Sequence, residues 1–478
     1  MEFQRGWDVA AEAELPLALM YLGATLRRAS HDVTLVDGSV QTAPSPLAFS
    51  KEGVLHVGMS WEEVRCAASE AAPDLVGISN LFYTQMPAAL RAAREVRATL
   101  PNATIIVGGP PATVRPQDYL AEPAVTAVVL GEGETVLAAL ADAIARGRPL
   151  AEVRGIAYRE GGGIRATDRA DYIDDLDALP DPAYDLIDLE RYMRVAAMDG
   201  SGRWRWRPRR ILTILTSRGC PFKCTFCAAH AHMGRRYRTQ SPERVLAHIR
   251  HIATELGIRH LHFIDDNLAQ NTARFHTILD GLIAMRKEGM PITWATPIGM
   301  RADKLSFDIL AKAKAAGCQA IFLTVESGSQ RVLDEVIDKH LRLESVVEAA
   351  KACKRLGLKA RSGFIMGLPG ETLEDMRMTV DFAHMLKRRY GVSGHNTLAT
   401  PLYGTRLHEI CVEKGYLRRE MTPDNVARSF EEGGMIETED WTIPQLRAMR
   451  DKFKRQRSWL HRTVRRIKRR LRGNKRSR

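Results

Sequence analysis

Three cysteines lie close together in the chain, at Cys220, Cys224 and Cys227. Three residues separate the first two, and two residues separate the last two. Three thiolates on one loop can bind three irons of a cubane iron–sulfur cluster and leave the fourth iron without a protein ligand. An open iron is what a cluster that binds a small molecule requires. The spacing therefore predicts a [4Fe–4S] cluster that takes part in chemistry.

A zinc site is the alternative for these thiolates. Structural zinc takes four ligands, usually as two separated pairs, and the sequence offers no convincing second pair. His230 and His232 follow the motif, but single histidines are more often surface or hydrogen-bonding residues than ligands. The other cysteines are scattered along the chain, at Cys66, Cys318, Cys353 and Cys411. They form no disulfide pattern, which favours a reducing, cytoplasmic compartment.

Six βα units are predicted from residue 211 onward. A series of this kind folds as a barrel or partial barrel, whose active site gathers at the C-terminal ends of the strands. The strands are predicted at residues 211–216, 260–264, 292–299, 320–325, 360–366 and 396–400. The cysteine motif follows the first of these strands directly, where such an active site would lie.

A CxxxCxxC loop after the first strand of a partial (β/α)6 TIM-type barrel resembles the radical S-adenosylmethionine (SAM) signature. The resemblance covers about residues 209–417. It implies that the open iron binds SAM and that an electron from the cluster cleaves SAM to methionine and a 5′-deoxyadenosyl radical. It also implies a small-molecule substrate and a flavodoxin or ferredoxin as electron donor. The three cysteines are then both the metal ligands and the catalytic residues.

Other residues at strand ends match the SAM-binding positions of that family. Asp265 and Asp266 end the second strand, where carboxylates suit the ammonium group of the methionine moiety. Glu326 matches the ribose position. The resemblance implies the following SAM contacts: Phe226, Asp265, Asp266, Glu326, Ser327, Arg361 and Ile365. His395 and Tyr403 lie near the predicted barrel mouth and are expected to shape the substrate pocket.

The first 150 residues alternate helical and strand patterns, which predicts a doubly wound, Rossmann-like sheet covered by helices on both faces. Helices are predicted at residues 15–30, 61–72 and 87–100, and strands at 32–37, 74–79, 103–108 and 124–130. Glycines follow several of these strands, and glycine lets a backbone approach a bulky ligand closely. Such a domain in front of a radical SAM barrel resembles the cobalamin-binding subgroup of the family.

This second resemblance implies cobalamin contacts from three strand ends, at Ser79, Leu81, Gly108, Gly109, Gly131, Glu132 and Gly133. The Asp-x-His-x-x-Gly sequence that supplies a histidine to cobalt in many cobalamin proteins is absent, so cobalamin is expected without a protein histidine ligand. The apolar strand that usually opens the subgroup has no convincing counterpart before Pro16.

A dinucleotide-binding domain would need a complete G-x-G-x-x-G, and none is present. A tRNA methylthiotransferase would need three N-terminal cysteines, and the first domain has only Cys66.

Composition divides the chain into four parts: a first domain over 1–150, a linker over 151–208, the barrel over 209–405 and a helical C-terminal region over 406–478. The linker is acidic and proline-rich and ends in alternating Arg and Trp residues. One short copy of that pattern is more typical of packing against a neighbouring domain than of nucleic-acid binding. Residues 447–478 hold sixteen Lys or Arg and one Asp, a charge of +15, which leaves 13 − 15 = −2 on the rest of the chain.

The basic tail has an apolar face, formed by Phe453, Leu460, Val464, Ile467 and Leu471. A basic amphipathic helix is typical of contact with an anionic membrane surface. A helix docked on the barrel is the alternative, and RNA or an acidic carrier protein is a further one. Because no long apolar run and no signal sequence are evident, a cytoplasmic protein is predicted, with peripheral contact at the inner membrane face if the tail binds lipid.

These patterns together predict a cobalamin-dependent radical SAM methyltransferase that acts on an unactivated carbon of a hydrophobic or membrane-associated small molecule. In the family that the chain resembles, one SAM methylates cobalamin and a second generates the radical that abstracts a substrate hydrogen. A non-methylating member, such as an oxidative cyclase of the Mg-protoporphyrin monomethyl ester type or a ring-rearranging enzyme, would carry the same motifs. A cofactor sensor without catalysis would not need the SAM-binding positions.

Overall fold

The computed structural model describes residues 2–4, 15–38, 54–56, 58–196 and 210–455. The first α/β unit runs through residue 196. Its elements are β1 (Glu2–Gln4), α1 (Leu17–Arg28), β2 (Val54–His56), α2 (Trp61–Ala71), β3 (Leu75–Ser79), α3 (Met86–Thr99), β4 (Thr104–Gly108), α4 (Pro110–Val114), α5 (Pro116–Leu120), β5 (Ala127–Val129), α6 (Gly133–Ala145), β6 (Ile156–Glu160), β7 (Gly163–Ala166) and α7 (Leu189–Ala196).

The first unit is a five-stranded sheet with helices on both faces, as predicted. The strand order is β3-β4-β5-β6-β7, and the first three strands are parallel. Alternate residues of β4 face opposite sides, because successive side chains of a strand point to opposite faces. Ile105 packs with α2, α3 and α5, whereas Ile106 packs with α1 and α6.

Two predictions for the first unit differ from the structure. Residues 32–37, predicted as a strand, have no regular secondary structure, and no described strand pairs with them. The boundary predicted at residue 150 is too early, because β6 and β7 extend the same sheet as an antiparallel hairpin. Gly161 and Gly162 make the hairpin turn with φ of 57° and 82°, the positive values that two-residue turns favour.

The second α/β unit begins at β8 and contains all six predicted barrel strands. Its elements are β8 (Ile211–Ile214), β9 (Ser217–Arg218), α8 (Ala229–Met233), β10 (Arg238–Thr239), α9 (Pro242–Glu255), β11 (His260–Phe263), α10 (Thr272–Lys287), β12 (Thr293–Met300), α11 (Phe307–Ala315), β13 (Cys318–Glu326), α12 (Leu343–Leu356), β14 (Lys359–Met366), α13 (Leu373–Tyr390), β15 (Ser393–Leu398), α14 (Arg406–Glu413), α15 (Pro423–Glu432) and α16 (Ile443–Lys454).

The six long strands form one parallel sheet in the order β15-β14-β13-β12-β11-β8. Each strand therefore pairs with the strand that precedes or follows it in the sequence, counting only these six, as in a partial (β/α) barrel. Large apolar side chains such as Phe263, Trp294 and Phe364 are buried on the face that the helices cover. The opposite face carries Arg361 and His395, which are exposed, so this inner face is the open and more polar one.

Local sequence fixes where the covering helices begin and end. Thr372 caps α13 and exchanges hydrogen bonds with Asp375 in a capping box, which satisfies backbone N–H groups at the helix start. Gly391 ends the same helix in the left-handed conformation, with φ of 77°. These signals hold β14 and β15 at the two ends of one helix and so help to place their C-terminal ends side by side.

The last described helix, α16, docks on the barrel. Phe453 is 3% exposed, and its ring meets that of Phe364 edge-on with centroids 5.5 Å apart. Phe453, the first residue of the apolar face predicted to contact a membrane, is thus part of the barrel core. This arrangement agrees with the alternative of a helix docked on the barrel. The remaining residues of that apolar face lie outside the described residues. Among the described helices, none has the length and apolarity needed to cross a membrane.

Candidate cofactor site

The three cysteines lie on a loop that β9 and β10 enclose as a short antiparallel ribbon. Gly219 leads into the loop with φ of 80°, and a Cβ there would lie 2.2 Å from the carbonyl oxygen of Arg236. Inside the loop, the amide of Thr225 donates to the carbonyl of Ile337 at 2.9 Å. The Thr225 hydroxyl donates to the carbonyl of Val336 at 3.0 Å. The chain after β13 therefore anchors the loop at Thr225.

The chemistry of the thiols fits a metal cluster. Burial raises the pKa of all three, that of Cys227 to about 12, so they stay protonated at neutral pH until a metal replaces the proton. The other four cysteines lie elsewhere, on α2, β13, α12 and α14, and supply no fourth thiol on this loop. In the described part of the chain, no three His, Cys, Asp or Glu side chains converge on one metal position. A cubane needs no such convergence, because each thiolate binds a different iron.

The side chain of Asn267 reaches this site from the end of β11. Its amide nitrogen donates to the sulfur of Cys220 at 2.9 Å, and its own burial fixes the contact. Hydrogen bonds to cluster sulfurs are one of the protein's means of setting the reduction potential. Sequence reasoning grouped Asn267 with Asp265 and Asp266 at the strand end predicted to meet the methionine amino group of SAM, and it did not predict the contact with Cys220.

Replacing Asn267 with alanine is expected to lower the midpoint potential of the cluster. In the wild type, the hydrogen bond to the Cys220 sulfur stabilises the more negative, reduced state of the cluster. Without this bond, reduction of the cluster becomes harder. An EPR-monitored redox titration of the reconstituted protein measures this shift, with Gln270→Ala as a control on the same loop. A midpoint that does not move, or moves upward, contradicts the expectation.

The two aspartates predicted to bind SAM differ in their surroundings. Asp265 is buried, and its Oδ1 accepts hydrogen bonds from the Thr216 amide at 3.1 Å, the Thr216 hydroxyl at 2.7 Å and the Ser217 hydroxyl at 2.5 Å. This carboxylate oxygen ties β11 to the chain before the cysteine loop instead of facing the cavity. Asp266 is exposed at the open end of the barrel. Of the two, Asp266 is thus the one accessible to the ammonium group of SAM.

Glu326 ends β13 in a backbone conformation that is rare for a residue with a side chain, with φ of 75°. Its Oε1 accepts a hydrogen bond from Lys339 Nζ at 2.9 Å, and Lys339 is buried whereas the Glu326 side chain is 12% exposed. Arg301 lies beside them, with its guanidinium 3.8 Å from the ring centroid of Phe222 in the cysteine loop. The charge of Lys339 lowers the pKa of the Cys224 thiol, although burial raises it more. Sequence reasoning missed both cations, because neither lies in a recognisable motif.

The other predicted SAM residues divide between the buried and the open face. Ser327 is fully buried, and its hydroxyl shares a hydrogen bond with Thr379 of α13 at 3.1 Å, so its side chain does not face a ligand as predicted. Arg361 and Ile365 are four residues apart on β14 and share the inner face of the sheet. Phe226 is partly buried and packs against the barrel core.

The two predicted substrate residues lie in different places. His395 pairs with Gly363 on the inner face, and burial together with the charge of Arg361 lowers the pKa of its imidazole. Tyr403 instead belongs to the junction of the two units. Its hydroxyl donates to the carbonyl of Met421 at 3.0 Å, and its ring meets that of Tyr83 edge-on at 5.2 Å. A role of Tyr403 in shaping the substrate pocket stays a prediction.

The strand ends of the first unit leave an uncovered apolar edge. Leu81 is 54% exposed and the neighbouring Phe82 is 63% exposed, although large apolar side chains usually find cover. Ser79 is exposed beside them. Gly109 has φ of 117°, and a Cβ there would lie 2.1 Å from the carbonyl oxygen of Asn80. Gly131 has φ of 88° and open space where its Cβ would be. An open, partly apolar edge with two glycines of positive φ fits a large ring such as corrin.

Two residues of the predicted cobalamin set have other contacts. The carboxylate of Glu132 is fully occupied, because it accepts hydrogen bonds from Arg218, Arg238 and the amide of Ile173. Only its backbone is free to meet a ligand. Gly133 opens α6, and a Cβ there would lie 3.0 Å from Leu22 of α1, so this glycine serves helix packing.

The fold and the site define a radical SAM enzyme with a cobalamin-binding domain. Residues 214–383 match the model of the Radical SAM superfamily, and residues 8–141 match the model of the B12 binding domain. The chain is 32% identical to the uncharacterized methyltransferase PH0819 of Pyrococcus horikoshii, over 84% of this chain and 79% of that protein. The chain therefore belongs to the methyltransferase-like family of cobalamin-binding radical SAM enzymes, and its cofactors are a [4Fe–4S] cluster, SAM and cobalamin.

Two further comparisons agree with this family. The cytidylyl-2-hydroxyethylphosphonate methyltransferase of Streptomyces wedmorensis is 27% identical, over 92% of this chain and 85% of that protein. The structure of the radical SAM methyltransferase TsrM from Kitasatospora setae, with cobalamin and a [4Fe–4S] cluster bound, superposes with a TM-score of 0.67. At 17% identity, over 93% of this chain and 97% of TsrM, this second likeness concerns the fold.

Proposed function

We propose that the protein transfers a methyl group to an unactivated carbon of a small molecule. When bound, the cluster with SAM supplies a hydrogen-abstracting radical and the cobalamin supplies the methyl group. The residues of this chain hold both cofactors, orient the substrate carbon and exclude water from the reaction.

One observation supports this proposal most strongly, namely that the two cofactor-binding regions adjoin each other. Helix α4, which follows Gly109 at the cobalamin edge, packs against α8, which follows Cys227. Gly404 allows the approach, because a Cβ there would lie 2.9 Å from Val114 of α4 and 3.5 Å from Ala231 of α8. A radical and a methyl group that act on the same carbon need this proximity.

The side chains on the inner face of the barrel indicate which class of substrate would fit. Arg361 and His395 bring polar and cationic groups to this face, whereas Ile365, on the same face of β14 as Arg361, contributes an apolar side chain. A substrate with an apolar body and a polar or anionic group fits this combination better than a wholly apolar one. A flavodoxin or ferredoxin as electron donor, a cytoplasmic location and contact of the tail with a membrane stay predictions.

The test uses the full chain, purified and reconstituted without oxygen and supplied with cobalamin, a reductant and SAM carrying a trideuterated methyl group. With extracts of small molecules as substrate source, a methyltransferase yields a product that carries the label, together with S-adenosylhomocysteine and 5′-deoxyadenosine. Products that change mass without label, while deoxyadenosine forms, would instead identify a cyclase or a rearranging enzyme. The Cys224→Ala protein is the control for background chemistry.

A further inference from the structure

Four charged side chains are buried together where the two units meet. Arg218 and Arg238 come from the β9–β10 ribbon, and Glu132 and Glu134 come from the start of α6. The exposed fractions of these side chains are 7%, 2%, 5% and 7%. Ion pairs this deeply buried are uncommon, because charges lose their hydration there. We call these four residues the interdomain charge network.

The contacts of the network join the start of α6 to both strands of the ribbon. Arg238 makes two hydrogen bonds to the carboxylate of Glu132, at 2.8 and 2.9 Å, in a bidentate geometry. Arg218 binds Glu132 at 3.1 Å and also binds Glu134, so it bridges the two acids. Two positive and two negative charges balance, and the amide of Ile173 satisfies Glu132 further at 2.8 Å.

The position of the network in the sequence relates it to both cofactors. Arg218 lies two residues before Cys220, and the ribbon that carries both arginines closes the cysteine loop. Glu132 directly follows Gly131, one of the glycines at the cobalamin edge. The network therefore links the loop that binds the cluster to the loop that approaches cobalamin.

From these contacts we propose that the interdomain charge network positions the two cofactors relative to each other and sets the distance between cobalt and the cluster. Buried ion pairs contribute little net stability compared with apolar packing, but removing one partner is costly, and in some proteins such pairs specify a single arrangement. The bidentate geometry supplies such a constraint here. The proposal deepens the proposed function, since it rests on both cofactors serving one reaction.

The experiment measures the distance between the two metal centres directly. The full-length protein is loaded with cluster and with cob(II)alamin, the cluster is reduced, and pulsed EPR of the frozen solution reports the magnetic interaction of the two paramagnetic centres. The variants are Glu132→Gln and the double variant Glu132→Gln/Arg238→Gln, which removes the bidentate pair. The double variant leaves the pair Arg218 and Glu134 intact and no buried charge unpaired, so it retains a folded protein if the single variant does not.

The matched control is Asp174→Asn. Asp174 forms an ion pair with Arg236, which lies two residues from Arg238, but this pair is exposed to solvent. Exposed pairs contribute little to geometry or stability. This control thus removes an ion pair from the same segment without touching the network.

We expect the network variants to retain iron and cobalamin but to show a broader or shifted distance distribution, and the control to match the wild type. They should also form more 5′-deoxyadenosine per methylated product, because radical formation and methyl transfer are no longer aligned. An unchanged distance in the double variant with both cofactors bound would overturn the proposal. If the wild-type protein formed no methylated product, the proposed function would be refuted. The positioning role would not be, because the EPR measurement needs no substrate.

Discussion

Replacing Cys224 with alanine is expected to abolish SAM cleavage. The substituted loop retains two thiols, which cannot hold a cubane through three irons, so the cluster is lost or assembles incompletely. Iron and sulfide per chain, together with 5′-deoxyadenosine formed after addition of a reductant, measure the effect. Both should fall to the level of protein that was never reconstituted.

The control for this substitution is Cys66→Ala. Cys66 is exposed on α2 of the first unit, far along the chain from the cysteine loop. It should leave iron content and SAM cleavage as in the wild type. If Cys224→Ala retained full cleavage of SAM, the assignment of the cluster to this loop would be wrong.

Replacing Gly109 with alanine is expected to give the largest loss of stability and of cobalamin binding in the first unit. The backbone conformation alone costs a residue with a side chain roughly 1–3 kcal/mol. The new Cβ also meets the carbonyl oxygen of Asn80 at 2.1 Å. Asn80 cannot move aside easily, because its side chain donates to the Phe82 carbonyl and accepts from the Tyr119 hydroxyl. Its backbone N–H also donates to the carbonyl of Gly108. Accommodation therefore displaces the strand end that carries Ser79 and Leu81.

Thermal unfolding and cobalamin retention after gel filtration measure this effect. Gly147→Ala is the matched control, since Gly147 also has a positive φ, 64°, but no atom lies within 4 Å of its added Cβ. The control should show only the conformational cost and retain cobalamin. Equal behaviour of the two variants would mean that the contact with Asn80 has no role in the cobalamin edge.

Sequence reasoning succeeded where local pattern and spacing determine the outcome. The six barrel strands follow from apolar runs between amphipathic helices, and Cys220, Cys224 and Cys227 follow from spacing alone. The strand at 32–37 failed because a strand needs a partner, and an apolar run does not say whether one is present. The hairpin at 156–166 was missed because the paired glycines of its turn were taken for part of a linker.

Roles that depend on distant partners were beyond the sequence. Glu132 lies in a strand-end motif that was predicted to contact cobalamin, yet its carboxylate binds Arg218 and Arg238 of the second unit. Asp265 matches a ligand position, yet its carboxylate binds Thr216 and Ser217. In each case a strand-end motif predicted the neighbourhood correctly, whereas the direction of the side chain depended on a residue tens of positions away.

The anchoring of the cysteine loop has a consequence for the order of events during synthesis. Thr225 is held by Val336, 111 residues later, and its carbonyl accepts from the amide of Leu407, 407 − 225 = 182 residues later. Because chains emerge from the ribosome N-terminus first, the three thiols are exposed to the cell well before the backbone that fixes them exists. The nascent loop is therefore open to iron delivery, and completion of the barrel is what encloses the ligands.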